Sequence, residues 1–158
     1  MRGGFHHDVE GSVVAADSVS VAVQGTSEQI AEMVRRFYAD VAQDSLLGPM
    51  FNDVARVDWS AHLPKLTAFW CRALLSVPGY EGNPYRSHQL INAQSPFTVA
   101  HFERWLELFT ETVDLGWAGP KAEQAKALGR KVAQVHCHQI VGDELDTAVA
   151  TSMITGPA

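Results

Sequence analysis

Apolar residues recur at helical spacing along most of this chain and are interrupted only by glycine and proline breaks, a pattern that fits packed helices. Ile30, Met33, Val34, Phe37, Tyr38 and Val41 predict a helix over 27–43, with Thr26 or Ser27 as its cap and Glu28 and Gln29 in its first turn. Gly48-Pro49 ends that pattern and introduces Met50-Phe51, a short turn that directs one large ring inward. A second helix starts near Asp58. Trp59, Leu63, Leu66, Trp70, Ala73 and Leu74 mark its inner face, with His62 and Phe69 beside that face. Val77-Pro78-Gly79 closes it, and Pro64 near its first turn is where a missing amide hydrogen is best tolerated.

The stretch Tyr80-Glu-Gly-Asn-Pro-Tyr-Arg-Ser-His88 then breaks and restarts the chain. Pro84 suits a first helical turn, so His88 sits one turn into a new segment. After Ser95-Pro96, a helix over 98–117 turns Phe102, Trp105, Leu106, Phe109, Thr112 and Val113 inward. Gly119-Pro120 separates it from a last helix over 121–141, with Ala122, Ala125, Leu128, Val132, Val135 and Ile140 as its core face and Gly142 as its C-cap. At 158 residues this is one all-α domain, able to bury about 70% of its unfolded surface and to enclose a cavity of cofactor size.

The domain is expected to span 26–142. Residues 1–25 lack helical periodicity, and the alternation of Val13, Val19, Val21 and Val23 has no second strand to pair with, so they read as a mobile tail, as do 143–158. A formal charge of −6 with no long basic run gives no electrostatic reason for nucleic acid or an anionic membrane as partner. No apolar run is long enough to span a bilayer and the N-terminus has no signal-peptide core, so a cytoplasmic protein is expected. Cys71 and Cys137 then read as reduced thiols rather than a disulfide.

Several helical-bundle chemistries are excluded by spacing. There is no Glu-x-x-His pair, no His-Glu-x-x-His, no Cys-x-x-Cys, no phosphate-binding glycine loop and no Gly-x-Ser-x-Gly. His6-His7 has no accompanying ligand set and reads as surface. His136-Cys137-His138 looks like a metal tract, but adjacent helical residues point in different directions and cannot converge on one ion; it reads as structural or surface. What is left is Tyr38, His62, His88 and Trp105, one polar or aromatic candidate on each main segment. Singly, each has an ordinary core role. Neutral imidazole is also the commonest protein ligand for iron, and the aromatic segments around His88 could enclose a flat cofactor.

Several separated motifs carry a resemblance over 27–141. Phe37-Tyr38-Ala39-Asp40-Val41, Asp44, Leu47-Gly48-Pro49-Met50-Phe51, Trp59-Ser60-Ala61-His62 and Phe69-Trp70 are followed by Tyr80-Glu81-Gly82-Asn83-Pro84 ending at His88, and by His101 to Leu106 with Leu108-Phe109. In this order they resemble the group III truncated haemoglobins, shortened globins of bacteria. The resemblance implies a two-on-two helical sandwich around haem b, with His88 as the proximal iron ligand and Tyr38, His62 and Trp105 lining the distal side. Phe51, Leu66, Phe69 and Trp70 would pack near the haem, and Tyr85 and Arg86 are the candidates for contacts at its edge.

Tyr38 O–H and Trp105 N–H would be donors to a gas ligand in a water-poor pocket, which predicts high dioxygen affinity. His62 would act as a gate or, alternatively, as an iron ligand in the ligand-free state. Two functional classes stay open. One is redox use of oxygen, as nitric oxide detoxification or peroxidase-like turnover with peroxide, which needs a separate reductase because no flavin or nicotinamide motif is present. The other is a non-catalytic gas carrier or sensor. A haem-free helical interaction domain is a third reading.

Overall fold

The computed structural model describes residues 13–142, with side chains from Thr26 onward except that of Tyr85. The described chain is helical, with no strand among the described residues: α1 Val13–Gln43, α2 Trp59–Leu75, α3 Pro84–Gln94, α4 Val99–Gly116 and α5 Pro120–Ile140, plus a π-helical turn at Met50–Val54. Helices α1 and α2 pack together, as do α4 and α5, and α1 also packs on α4; α3 lies against α5 and the π-helical turn.

The breaks act as the sequence requires. Asp58 caps α2 by accepting from the Ser60 amide, and Ser76 closes it in the left-handed conformation. The Asn83 side chain accepts from the Arg86 amide and Pro84 occupies the first turn of α3. At α4 the Thr98 amide donates to His101 Nδ1 at 2.9 Å. Gly142, at φ 83°, returns its amide to the Cys137 and His138 carbonyls beyond α5.

Three expectations change. Helix α1 begins at Val13, so Thr26 and Ser27 lie inside it rather than capping it. The valine alternation at 19, 21 and 23 has no partner strand among the described residues, and Gly25 costs a helix interior only about 1 kcal/mol. Expectations for 1–12, including His6-His7, and for 143–158 fall outside the described residues. On α2, Ala73 is exposed and Cys71 is buried in its place. On α5, Val135 is exposed, and the buried stripe is Ala122, Ala125, Gly129, Ala133 and Cys137. The reason is distance: a Cβ at Gly129 would stand 2.5 Å from Cδ1 and Cε1 of Phe109, so α5 approaches α4 through its smallest residues.

The core has two parts. The larger joins Ile30, Val34, Phe37, Tyr38 and Val41 of α1 to Trp70 and Leu74 of α2 and Phe109 and Val113 of α4. The smaller joins Phe102 and Leu106 to Ala133 and Cys137. Trp105 packs against both, which places its indole where the two meet. Cys71 and Cys137 are both buried, and neither is in a disulfide.

Candidate functional site

Between the helices lies a cavity of about 340 Å³ with a mainly apolar lining. Such a volume is in the range of small-molecule and cofactor pockets. Of the ten residues singled out from sequence, eight line it: Tyr38, Phe51, His62, Leu66, Phe69, Trp70, His88 and Trp105. Arg86 does not; it is exposed. The Tyr85 side chain is outside the described residues, and Tyr85 is not among the lining residues.

One wall is built by α1, the π-helical turn and α4. Tyr38 is 5% exposed and makes an edge contact with Phe37 at 4.6 Å. Burial raises its pKa strongly, and the neighbouring Trp105 side chain acts in the opposite sense. Tyrosine here therefore keeps its proton. The Tyr38 O–H and the Trp105 indole N–H, which can only donate, both line the cavity. Trp105 is itself held by parallel stacking on Phe109 at 5.4 Å and 6°, and Phe109 stacks in turn on Trp70 at 4.7 Å and 14°. Phe51 and Trp59 stack at 5.8 Å, and the Trp59 indole donates to Asn52 Oδ1 at 3.3 Å.

The placement of Trp105 also depends on Asp44. Its carboxylate accepts from the Leu46 and Leu47 amides and from Arg104 Nε at 2.8 Å, tying the end of α1 to the residue next to Trp105. Burial pushes the Asp44 carboxyl upward, but the Leu47 amide, Arg104 and the Leu46 amide together overcome this and hold it below its ordinary value.

His88, on α3, stands at the cavity edge nearest α5. Burial first, and the neighbouring His136 and His62 after it, push its pKa down to about 4, so the ring is neutral near pH 7. Its Nδ1 is buried without a hydrogen-bond partner, a condition that costs on the order of 1–3 kcal/mol. Half-buried His62, on α2, packs edge-on to Trp59 at 6.0 Å, and burial followed by the charge of Lys65 lowers its pKa.

Sequence reasoning missed other lining residues. His136 of α5 lies with its ring centroid 4.9 Å from that of His88. The argument that residues 136–138 cannot share an ion holds, since Cys137 is buried in the core and His138 is exposed, but His136 alone reaches the cavity. Its position four residues after Val132, on the same flank, was the available signal. Lys65 is the one Lys or Arg among the described lining residues, one turn after His62.

Among the described residues no three His, Cys, Asp or Glu side chains form a set that could hold a bare metal ion. The cavity instead offers aromatic walls, one unsatisfied imidazole and hydroxyl and indole donors. That combination fits a flat, apolar group that brings its own metal with most ligands already in place and needs one more.

No family model matches the chain. It is 35% identical over 91 residues to the group 3 truncated hemoglobin ctb of Campylobacter jejuni subsp. jejuni, a match covering 56% of this chain and 69% of that protein. The crystal structure of group III truncated hemoglobin from Campylobacter jejuni superposes with a TM-score of 0.64 at 29% identity, covering 72% of this chain and 90% of that one.

Proposed function

The chain belongs to the group III truncated haemoglobins, and we propose that it holds one haem b in the cavity with His88 as its iron ligand and binds dioxygen at high affinity. The observation that carries this reading is the unpaired, buried nitrogen of His88 on a cavity whose other wall presents the Tyr38 hydroxyl and the Trp105 indole. Haem, when bound, supplies an iron that takes dioxygen and other diatomic ligands such as nitric oxide.

The remaining roles fall to the chain's own groups. Leu66, Phe69 and Trp70 line the cavity as apolar packing against a flat ring, and Phe51 closes the wall beside Tyr38. Lys65, which lines the cavity, would meet the carboxylates of the cofactor edge, with the exposed Arg86 as the other candidate. Tyr38 stays protonated because it is buried, so it donates throughout the neutral pH range. Trp105 N–H lines the same cavity and would serve as a second donor to the bound gas. Half-buried His62 is neutral near pH 7 and lies at the cavity's α2 side, where a side-chain rotation gates entry.

Bound oxygen would serve nitric oxide detoxification or peroxidase-like chemistry, with electrons from a separate reductase in the cytoplasm. Storage, transport or sensing of the gas is the alternative. Among the described residues, no helix is long and apolar enough to cross a membrane. The purified chain is expected to show a Soret band after haem addition. His88→Gly should lose the normal ferrous spectrum and recover it with added imidazole; an unchanged spectrum in that variant would remove His88 from its assigned role. Steady-state consumption of nitric oxide or peroxide in the presence of a reductant separates the catalyst from the carrier.

A further inference from the structure

Resting on the reading of His62 as the gate, we propose that Asn52 is a positioning residue for it: Asn52 pins the Trp59 indole, and Trp59 holds the His62 ring where it lines the cavity. Neither Asn52 nor Trp59 lines the cavity, so both act on a ligand only through other residues. Trp59 stands directly behind three that do. It stacks on Phe51 at 5.8 Å and 17°, lies tilted to Tyr38 at 5.7 Å, and meets His62 edge-on at 6.0 Å and 70°. Tyr38 is buried and has Phe37 as a closer support at 4.6 Å. His62 is half-buried, and among the described residues Trp59 is the aromatic ring that packs on it, so His62 is the group that depends most on where the indole rests.

Two hydrogen bonds fix that indole. Trp59 Nε1–H donates to Asn52 Oδ1 at 3.3 Å, and Asn52 Nδ2 donates to the Ala42 carbonyl at 2.9 Å. An indole N–H can only donate and a carbonyl can only accept, so the two bonds leave the Asn52 amide a single orientation; turned over, it would set donor against donor and acceptor against acceptor. Ala42 lies in the last turn of α1, where carbonyls lack partners within the helix, and Asn52 supplies the missing donor. The π-helical turn brings Asn52 to both groups, and the chain passes close to α1 at a glycine: a Cβ on Gly48 would stand 2.9 Å from the Ala42 oxygen. One amide thus ties the end of α1, the π-helical turn and the start of α2 together beside the gate.

The test measures carbon monoxide association after flash photolysis of the haem-loaded protein. Wild type is compared with Asn52→Ala, with Trp59→Phe, which keeps a ring and removes its N–H, with His62→Ala, and with Asn52→Ala combined with His62→Ala. Hydrogen exchange of the Trp59 indole N–H, followed by NMR, reads the brace itself apart from ligand binding. Asn52 is exposed, so its truncation leaves the core intact. Asn52→Ala is expected to speed indole exchange and to raise the association rate about two- to tenfold, the change that loss of one ordinary hydrogen bond permits; Trp59→Phe should raise the rate by a similar factor. With His62 already truncated, Asn52→Ala should add nothing, whereas a merely structural role would move the rate in either background. A rate unchanged or lowered in Asn52→Ala or Trp59→Phe while His62→Ala speeds entry, an unchanged indole exchange, or a further gain in the combined variant overturns the brace and leaves the gate standing. If His62→Ala itself keeps the wild-type rate, the gate and the brace fall together.

Discussion

Replacing Gly129 by alanine tests how the cavity wall behind Trp105 is held together, because two effects of opposite sign meet at that position. In a helix interior, glycine to alanine is ordinarily stabilising by about 1 kcal/mol. Here the new methyl group would stand 2.5 Å from two ring carbons of Phe109, closer than carbon atoms pack. Phe109 is 0% exposed and is stacked between Trp70 and Trp105, so it has no free direction in which to yield. Overpacking of such a core costs about 1–3 kcal/mol, which offsets the gain in helix propensity and leaves a net loss of up to about 2 kcal/mol. For a chain of this size the melting temperature should fall by up to about 8 °C. The displaced ring is stacked on Trp105, so the same variant should also release dioxygen faster than wild type. Thermal denaturation and stopped-flow dissociation of the haem-loaded protein measure the two effects. A Gly129→Ala protein that melts higher than wild type would refute the close α4–α5 contact on which the reasoning stands.

Tyr38→Phe and Trp105→Leu should each speed dioxygen dissociation by about one to two powers of ten, the effect of losing a hydrogen bond of about 1.5–3 kcal/mol. Because both side chains line one cavity and would serve one ligand, the double variant should fall short of the product of the two single effects, and a strictly multiplicative result would argue against that coupling. Asp44→Ala removes a side chain that is 6% exposed and its bonds to two amides and Arg104. With Arg104 34% exposed and still paired to Glu107, the loss should be about 1–2 kcal/mol. The Asp44 carboxyl titrates below its ordinary value in the folded chain, so its contribution is present above the unfolded pKa and is lost as pH falls through the folded one. Urea midpoints of wild type and Asp44→Ala should therefore differ at pH 7 and converge as the pH is taken below about 4. A gap that persists unchanged in acid would mean that the Asp44 charge is not what stabilises the turn.

What was legible in the sequence was whatever large side chains and chain breaks determine. The inner face of α4, from Phe102 to Val113, can be read directly because bulky residues repeat at helical spacing and every one of them needs a core. Gly82-Asn83-Pro84 likewise announces the restart that sets His88 on α3. Helix α5 resisted the same reading for a physical reason. Where two helices approach closely, the contact selects the smallest residues, so Gly129, Ala133 and Cys137 are buried while Val135, the more apolar residue by any hydrophobic ranking, faces outward. The misread face also hid His136. Once Gly129, Ala133 and Cys137 point at α4, Val132 and His136 occupy the neighbouring flank, which is the flank that reaches the cavity. Lys65 and Arg86 follow the same logic. Arg86, two residues before His88 on the same helix, is exposed and does not line the cavity, whereas Lys65, three residues after His62, shares the cavity with it. The residues that shape this site are thus found by asking which helix face is close-packed, and only then which polar groups lie beside it.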